Sequence, residues 1–316
     1  MSCAEQVLRF GPARCLVGIT TGQRSRTGIV FLDAGLIHRV GPGRLYVELA
    51  RMASARGIAA LRFDHSGIGD SGVRPDQLPA EKAVVQEAID ALDTLARHAG
   101  CDQFILFGMC ASTDTAFRAA CADRRVAGVV LLNALLGDRA TANDNLLDEM
   151  TTRKVAHSYL KDKLFRPHSW LRLLRGRTDP RRVLRVLMRA WQSTTRRAQV
   201  PLDEDPARVL AGLQGLAARG TRVLLAFGEH TGVRQYFGMT IENRIGGIDP
   251  DRRIDVRIVE RGDHSFTTLA LQREIVEMFT GWLDSFTRSP PPPDDASTAA
   301  APAAGYKVPR RRRVQD

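Results

Sequence analysis

The chain has 316 residues, of which 44% are hydrophobic, which is enough to bury one large core or two modest ones. No run approaches the roughly 18 to 20 apolar residues that a membrane-spanning helix requires, and the first residues, MSCAEQVLRFGPARC, lack the pattern of a secretion signal, so we predict a cytoplasmic protein without a transmembrane segment. The formal net charge of +11 favours an anionic partner, although an Arg-rich coding bias would give the same excess without one.

Seven short runs rich in Val, Ile, Leu and Phe alternate with helical patterns along most of the chain. In chain order the runs are RCLVGIT, TGIVFLDA, IAALRFD, QFILFGM, VAGVVLLNA, TRVLLAFGE and DVRIVE. Gly, Asp or Arg bounds them, as expected for parallel strands buried on both faces. Residues 45–57 and 79–100 show helical patterns that close with Gly57 and Gly100. The sequence predicts an α/β fold, a mostly parallel sheet flanked by helices, with chemistry at the strand-to-helix turns.

The alternation stops after Asn133. Residues 138–205 contain helical stretches, no convincing strand and many arginines, so we predict an inserted helical cap with a basic face. This cap divides the core into residues 1–137 and 206–288. Residues 289–316 are rich in Pro and Ala and then basic, a composition typical of a disordered tail. The basic cap is either a solvated face or a rim that attracts an anionic substrate.

The stretch FGMCAS carries the candidate nucleophile. Gly108 and Ser112 stand two residues before and after Cys110, at the end of a strand, which reproduces the spacing of the G-x-S-x-G nucleophile elbow with Cys in place of Ser. Because a helix begins at this turn, its N-terminal end is expected to favour the Cys110 thiolate. A lone Cys at a helix start is more often structural, so the interpretation requires a second residue.

His264 supplies that second residue. It follows the last predicted strand, in ERGDHSFTTLA, where this architecture presents its base, and we expect it to accept the proton of Cys110. The usual Asp is absent after TRVLLAFGEHT. Glu229 is the nearest carboxylate and the first candidate to orient His264, Asp138 is the alternative, and a Cys–His pair can also depend less on a third group.

A candidate oxyanion site follows the run TGIVFLDA. The backbone N–H of Gly35 or Leu36 is expected to join that of Ala111 in binding a developing negative charge. His38 and Arg39 lie in the same loop and are candidates for lining the substrate pocket or for the surface. The glycine-rich stretch LRFDHSGIGDSG is not followed at once by a helix and lacks GK[ST], so we interpret it as structural.

The motifs LDAGLIHRVGP, LRFDHSGIGDS, FGMCAS and GDHSF resemble those of the α/β-hydrolase superfamily, in particular its serine aminopeptidase-like and exosortase A system-associated branch. The resemblance covers roughly residues 14–285, excluding much of the cap. It implies an α/β-hydrolase fold with Cys110 and His264 as catalytic residues and an oxyanion loop around Gly35. It does not supply the acid, whose usual position falls near Thr231. Cys elbows also occur in dienelactone hydrolases and polyhydroxyalkanoate synthases, which resemble this chain in that motif alone.

Together these features predict a hydrolase that acts on an ester or thioester through an acyl-cysteine intermediate. With an alcohol or amine as acceptor the same site would make an acyltransferase, and the competing interpretation is a catalytically inactive binding protein. We expect a small-molecule acyl substrate, anionic or carrier-bound, and find no strong case for nucleic acid, since no recognised module accompanies the charge. A third interpretation makes the basic cap and tail an adaptor for nucleic acid or an acidic membrane. No motif points to a cofactor, and five cysteines without a CxxC pair indicate neither a zinc site nor a disulfide framework.

Overall fold

A computed structural model describes residues 5–35, 37–134, 136, 204–229 and 231–288, which form a sheet with helices on both faces. The strands are β1 (Glu5–Phe10), β2 (Leu16–Thr21), β3 (Thr27–Phe31), β4 (Ala59–Asp64), β5 (Gln103–Met109), β6 (Val126–Leu132), β7 (Arg222–Gly228) and β8 (Ile254–Val259). The α-helices are α1 (Leu45–Ala55), α2 (Ala80–Ala99), α3 (Ser112–Ala122), α4 (Glu204–Ala218), α5 (Gly232–Phe237), α6 (Asn243–Ile248) and α7 (Leu269–Arg288). A π-helical turn, Gly238–Glu242, joins α5 to α6.

The strands lie in the order β1-β2-β4-β3-β5-β6-β7-β8. β2 pairs antiparallel with β1 and with β4, and the strands from β4 to β8 pair in parallel. The seven predicted strands are confirmed. β1 is not among them, because it is a largely exposed edge strand and therefore lacks the continuous apolar run of a buried strand.

Two helical layers cover the sheet. α1 and α7 pack on one face, and α2, α3 and α4 pack on the other. Residues of β5 alternate between these layers: Phe104 belongs to the α2 side and Ile105 to the α1 side, and both are fully buried. Because both faces of the central strands are covered, β3, β5, β6 and β7 are apolar along most of their length, whereas the edge strand β8 is partly exposed and carries Asp255 and Arg257.

The helices predicted at 45–57 and 79–100 are confirmed as α1 and α2. The helical stretch from α5 to α6 was not predicted, since three glycines (Gly238, Gly246 and Gly247) weaken its helical pattern, and Phe237 and Ile241 anchor it in the core. Residues 138–203 of the predicted cap and the predicted tail, 289–316, lie outside the described residues.

The loop after β4 is built around the buried carboxylate of Asp64. Its Oδ1 accepts the backbone N–H of Arg39 at 2.6 Å, and its Oδ2 accepts that of Asp70 at 3.1 Å. Ser71 Oγ donates to the carbonyl of Asp64 at 2.6 Å and accepts the N–H of Val17 in β2 at 2.8 Å. The loop thus joins β2, β4 and the loop after β3, as expected for a structural element.

Alanine substitutions at two glycines of this loop should differ in cost. Gly67 and Gly69 both have positive φ, but a Cβ on Gly67 would meet nothing within 4 Å, whereas a Cβ on Gly69 would overlap the carboxylate of Asp64. We expect Gly67→Ala to lower the free energy of unfolding by about 1 kcal/mol through backbone strain. Gly69→Ala should cost about 3 kcal/mol, because the added methyl group also displaces Asp64. Urea unfolding measures both values, and equal losses would contradict a rigid Asp64.

Candidate active site

Cys110 occupies the turn between β5 and α3. Its φ of 52° lies in the left-handed region, which is strained for a residue with a side chain. Its N–H donates to the carbonyl of Leu132 at the end of β6, at 2.9 Å, and its carbonyl accepts the hydroxyl of Thr113 at 2.6 Å. This is the geometry of a nucleophile elbow, in which a strained backbone presents one side chain at the carboxyl edge of the sheet.

The residues two positions before and after Cys110 are small for different reasons. A Cβ on Gly108 would stand 2.7 Å from the carbonyl oxygen of Ser112 and 3.0 Å from Cβ of Ala116, so glycine lets α3 lie against β5. Ser112 is buried, and its Oγ accepts the N–H of Met109 at 3.0 Å. The serine in the usual glycine position therefore adds a hydrogen bond that closes the turn.

His264 lies in the loop between β8 and α7, beside the elbow. The thiol of Cys110 donates to the backbone carbonyl of His264, with Sγ and O 3.2 Å apart. Within the described part of the chain, this thiol is hydrogen-bonded to the main chain of His264 and not to its imidazole. The His264 residue itself is exposed. The loop packs tightly on β7, since a Cβ on Gly228 would overlap the carbonyl of Gly262. The structure thus brings the two predicted residues together through the main chain of His264.

Burial controls the ionisation of Cys110. It raises the pKa of the thiol from 9.0 to about 12, and the negative charge of Asp263 adds to the rise. A rise of this size corresponds to about 4 kcal/mol against the thiolate, whereas a helix N-terminus stabilises an anion by at most about 2 kcal/mol. Burial therefore outweighs the expected effect of α3, and a thiol with this pKa is neutral at neutral pH.

Asp263 is the carboxylate that acts on His264. Partial burial lowers the pKa of the imidazole, although His264 is exposed as a residue, and the charge of Asp263 opposes that change. Burial also opposes the ionisation of Asp263, but hydrogen bonds from the hydroxyl and N–H of Thr267 and from the N–H of Ser265 lower its pKa. A lowered imidazole pKa keeps the ring neutral at neutral pH, and this is the form that accepts a proton.

Glu229, the first candidate for the third residue, directly follows β7 and is exposed. Its N–H donates to the carbonyl of Val259 at 3.0 Å, and its Oε2 accepts the N–H of Arg261 at 3.0 Å. The carboxylate therefore binds the main chain of the loop that carries His264, three residues before the imidazole. Asp138, the alternative, lies outside the described residues.

The two backbone positions expected to form the oxyanion site lie next to each other. Gly35 has a φ of 70°, and a Cβ placed on it would stand 3.4 Å from Cβ of Ala111. Leu36 lies outside the described residues. His38 is exposed, and its carbonyl accepts the N–H of Gly41 at 2.9 Å. The loop after β3 therefore reaches the elbow at Gly35.

Arg39 is held by two carboxylates. Its guanidinium binds Asp64 and Asp70, and its side chain is only 16% exposed. These contacts neutralise its charge and attach the loop after β3 to the loop after β4. They give Arg39 a structural role, and its place in the lining of the substrate pocket stays a prediction.

A buried polar network next to the oxyanion loop was missed by sequence analysis. Asp33, which is 3% exposed, accepts the backbone N–H of His65 at 3.0 Å, and its Oδ1 lies 3.9 Å from Nε2 of the same residue. Nδ1 of His65 lies 2.8 Å from Oε2 of Glu87 in α2. Burial raises the pKa of Asp33 from 3.8 to about 6, and His65 opposes the rise. Polar residues at the ends of two adjacent buried strands, in LDA and FDH, are the only sequence signal for this network.

The described ranges contain no group of three or more His, Cys, Asp or Glu residues arranged to hold a metal ion. None of the helices in these ranges has both the length and the apolar character needed to cross a bilayer.

The strand order, the helices on both faces, the elbow after β5 and the histidine loop after β8 define the α/β-hydrolase fold. Three solved structures illustrate the similarity. Alpha/beta hydrolase domain-containing protein 10 from mouse is 17% identical, with 90% of this chain and 99% of that chain covered and a TM-score of 0.51. The thioesterase domain from the curacin biosynthetic pathway is 14% identical, with 90% and 99% covered and a TM-score of 0.51. A putative hydrolase from Agrobacterium vitis S4 is 14% identical, with 89% and 99% covered and a TM-score of 0.52.

At these identities the similarity establishes the fold alone. No protein-family model matches the sequence, and no curated protein matches it either. The chemistry of the site therefore has to be argued from its own residues.

Alkylation of Cys110 by iodoacetamide should accelerate steadily up to about pH 9.5. A thiol with a pKa of about 12 contributes very little thiolate at neutral pH, and the thiolate is the reactive form. Peptide mass spectrometry of the alkylated native protein gives the rate at this residue, with Cys110→Ala to confirm the assignment of the peptide. A plateau below about pH 8 would instead show a preformed thiolate–imidazolium pair.

Asp33→Asn should change how stability depends on pH. Because the folded pKa of Asp33, about 6, lies above its ordinary value of 3.8, the group contributes stability below the ordinary value and loses it as the pH rises through 6. Asparagine is uncharged at every pH and keeps an oxygen that can accept the N–H of His65. Relative to this variant, the wild type should lose about 1 kcal/mol of unfolding free energy between about pH 5 and pH 8, measured with urea. A constant difference between the two proteins would contradict the raised pKa.

Proposed function

We propose that the protein is a hydrolase that cleaves an ester or thioester by acyl transfer to Cys110. One observation carries the proposal: a cysteine in the left-handed elbow conformation has its thiol 3.2 Å from the main chain of the residue that supplies the candidate base. Gly35 and Ala111 lie together beside it, where an oxyanion would form. A cysteine with a purely structural role would require neither a strained turn nor a histidine loop beside it.

The first half of the reaction forms an acyl-cysteine. Sγ of Cys110 attacks the carbonyl carbon of the substrate while the imidazole of His264 takes the thiol proton. Electrons of the C=O bond move to its oxygen, and the N–H groups of Ala111 and Gly35 stabilise this oxyanion. When the intermediate collapses, the bond to the alcohol or thiol breaks, and the leaving group takes the proton from His264.

The second half releases the acid. The imidazole of His264 removes a proton from water, the resulting hydroxide adds to the acyl carbon, and a second oxyanion forms in the same place. Its collapse breaks the bond between the acyl carbon and Sγ, and the sulfur recovers a proton from His264. With an alcohol or amine in place of water, the same acyl-cysteine would make the protein an acyltransferase.

A neutral thiol suits this mechanism. Because burial disfavours the thiolate, the proton has to move to His264 as the bond from sulfur to carbon forms. The imidazole must then come within hydrogen-bonding distance of Sγ, in place of the carbonyl contact seen here. Catalytic hydrogen bonds are often long or poorly aligned before substrate binds. His264 is exposed, so burial does not prevent its imidazole from approaching the sulfur.

The substrate class follows from the nucleophile and from the charge of the chain. An acyl-cysteine is a thioester, so its energy lies close to that of thioesters and activated esters. Among the proteins with similar structures, one is a thioesterase domain and another belongs to the carboxylesterases of the thaumarchaeon Nitrososphaera gargenis. The net charge of +11 supports an anionic or carrier-bound acyl group.

A catalytically inactive binding protein is the second candidate. It is favoured by the hydrogen bond of the thiol to a main-chain carbonyl, which satisfies the sulfur without using the imidazole. Such a protein would retain the fold and bind acyl compounds without forming a covalent adduct.

The mass of the intact protein after incubation with p-nitrophenyl acetate or an acetyl thioester separates these candidates. The wild type should gain an acetyl group, Cys110→Ala should gain none at this site, and His264→Ala should acylate about 100-fold more slowly or worse. Cys121→Ala is the matched control, because it removes a different free thiol, and it should acylate at the wild-type rate.

Two results would contradict the proposed hydrolase. Failure of the wild type to form an adduct with either donor, although it is folded, would support the binding protein. An adduct that forms equally in Cys110→Ala would place the nucleophile elsewhere in the chain.

A further inference from the structure

Asn133 directly follows β6 and is fully buried where three chain segments meet. Its N–H donates to the carbonyl of Ala226 in β7 at 2.7 Å. Both ends of its side-chain amide are also used: Oδ1 accepts the N–H of Gly228 at 2.8 Å, and Nδ2 donates to the carbonyls of Asp263 at 3.2 Å and His264 at 2.8 Å. One side chain therefore ties β6 and β7 to the loop that carries the candidate base.

The carbonyl of His264 accepts two hydrogen bonds, one from Nδ2 of Asn133 and one from the thiol of Cys110. The N–H of Cys110 donates to Leu132, the residue before Asn133, so the elbow and the histidine loop are supported by the same strand end. When the sulfur is acylated its proton is gone, whereas the hydrogen bond from Asn133 to this carbonyl remains.

The residue type at this position meets three requirements together. The backbone has a φ of 49°, in the left-handed region that Asn adopts more readily than most residues with a side chain. The site also needs a donor for two carbonyls and an acceptor for one N–H, and a side-chain amide has both. Aspartate has a similar shape but, when ionised, cannot donate and would place a negative charge against the carbonyl oxygens.

We propose that Asn133 is a positioning residue that sets the placement of His264 relative to Cys110. It holds the main chain of His264, whereas the acid of a catalytic triad holds the imidazole ring. This role rests on the proposed function, because it matters for catalysis only if His264 takes the proton of Cys110.

Two variants of Asn133 test this role, together with one control. Asn133→Asp keeps the shape and removes the donor, and Asn133→Gly tolerates the positive φ and removes the side chain. Thr221→Val is the matched control, because it deletes hydrogen bonds at the opposite end of the β6–β7 pair. Thr221 Oγ1 donates to the carbonyl of Val126 at 3.1 Å and accepts from Nε of Arg219 at 3.0 Å. Each change is made in the wild type and in His264→Ala. Circular dichroism first confirms that each variant is folded, and the rate of acylation by p-nitrophenyl acetate is then measured.

We expect both Asn133 variants to slow acylation by about 30-fold in the wild type, with KM changed by less than about threefold. In His264→Ala the same variants should change the rate by less than about threefold, because a residue that acts through His264 has nothing left to position. Thr221→Val should stay within about twofold of its parent in both backgrounds.

Equal slowing in both backgrounds would assign Asn133 a structural role only and overturn the proposal. Folded Asn133 variants that acylate within about threefold of the wild type would overturn it too. Failure of the wild type itself to acylate is a different result, because it overturns the proposed function and the role of Asn133 with it.

Discussion

Four backbone hydrogen bonds, each just beyond the end of a parallel strand, hold the candidate active site together. The residue that follows each strand donates its N–H to the end of the next strand in the sheet. The pairs are Leu32 to Phe107, Cys110 to Leu132, Asn133 to Ala226 and Glu229 to Val259, at 2.7 to 3.0 Å. Because the carboxyl ends of parallel strands meet at one edge, this series brings the oxyanion loop, the nucleophile and the histidine loop within reach of one another. The proposed chemistry at Cys110 depends on this alignment.

Burial determines the electrostatics of the same edge. It raises the pKa of the Cys110 thiol, and partial burial lowers the pKa of the His264 imidazole, so both shifts favour the neutral forms at neutral pH. The buried carboxylate of Glu87 has hydrogen-bonding partners in His65 and Ser66, as a charged group in a low-dielectric interior requires. Such a site favours proton transfer during bond formation, as in a Ser–His pair, over a preformed ion pair.

The places of Cys110 and His264 in the fold could be predicted because their signals are local. Small residues around Cys110 mark the elbow, and GDHS comes directly after the last strand. The contacts of Arg39 could not be predicted, since its partners Asp64 and Asp70 lie in another loop. Asn133 was visible only as a polar residue at the end of a buried strand, and its hydrogen bonds depend on how closely the histidine loop packs on β7.

The sequence by itself determined the alternation of strands and helices, and with it the α/β-hydrolase fold, because apolar periodicity and turn residues act over a few positions. It also determined which side chains stand at the ends of the strands. Only the tertiary structure decided what those side chains touch: the thiol of Cys110 meets the carbonyl of His264, and Asn133 reaches the same oxygen from β6. These contacts join residues 154 and 131 positions apart. They depend on strand register and on burial, which no local pattern encodes.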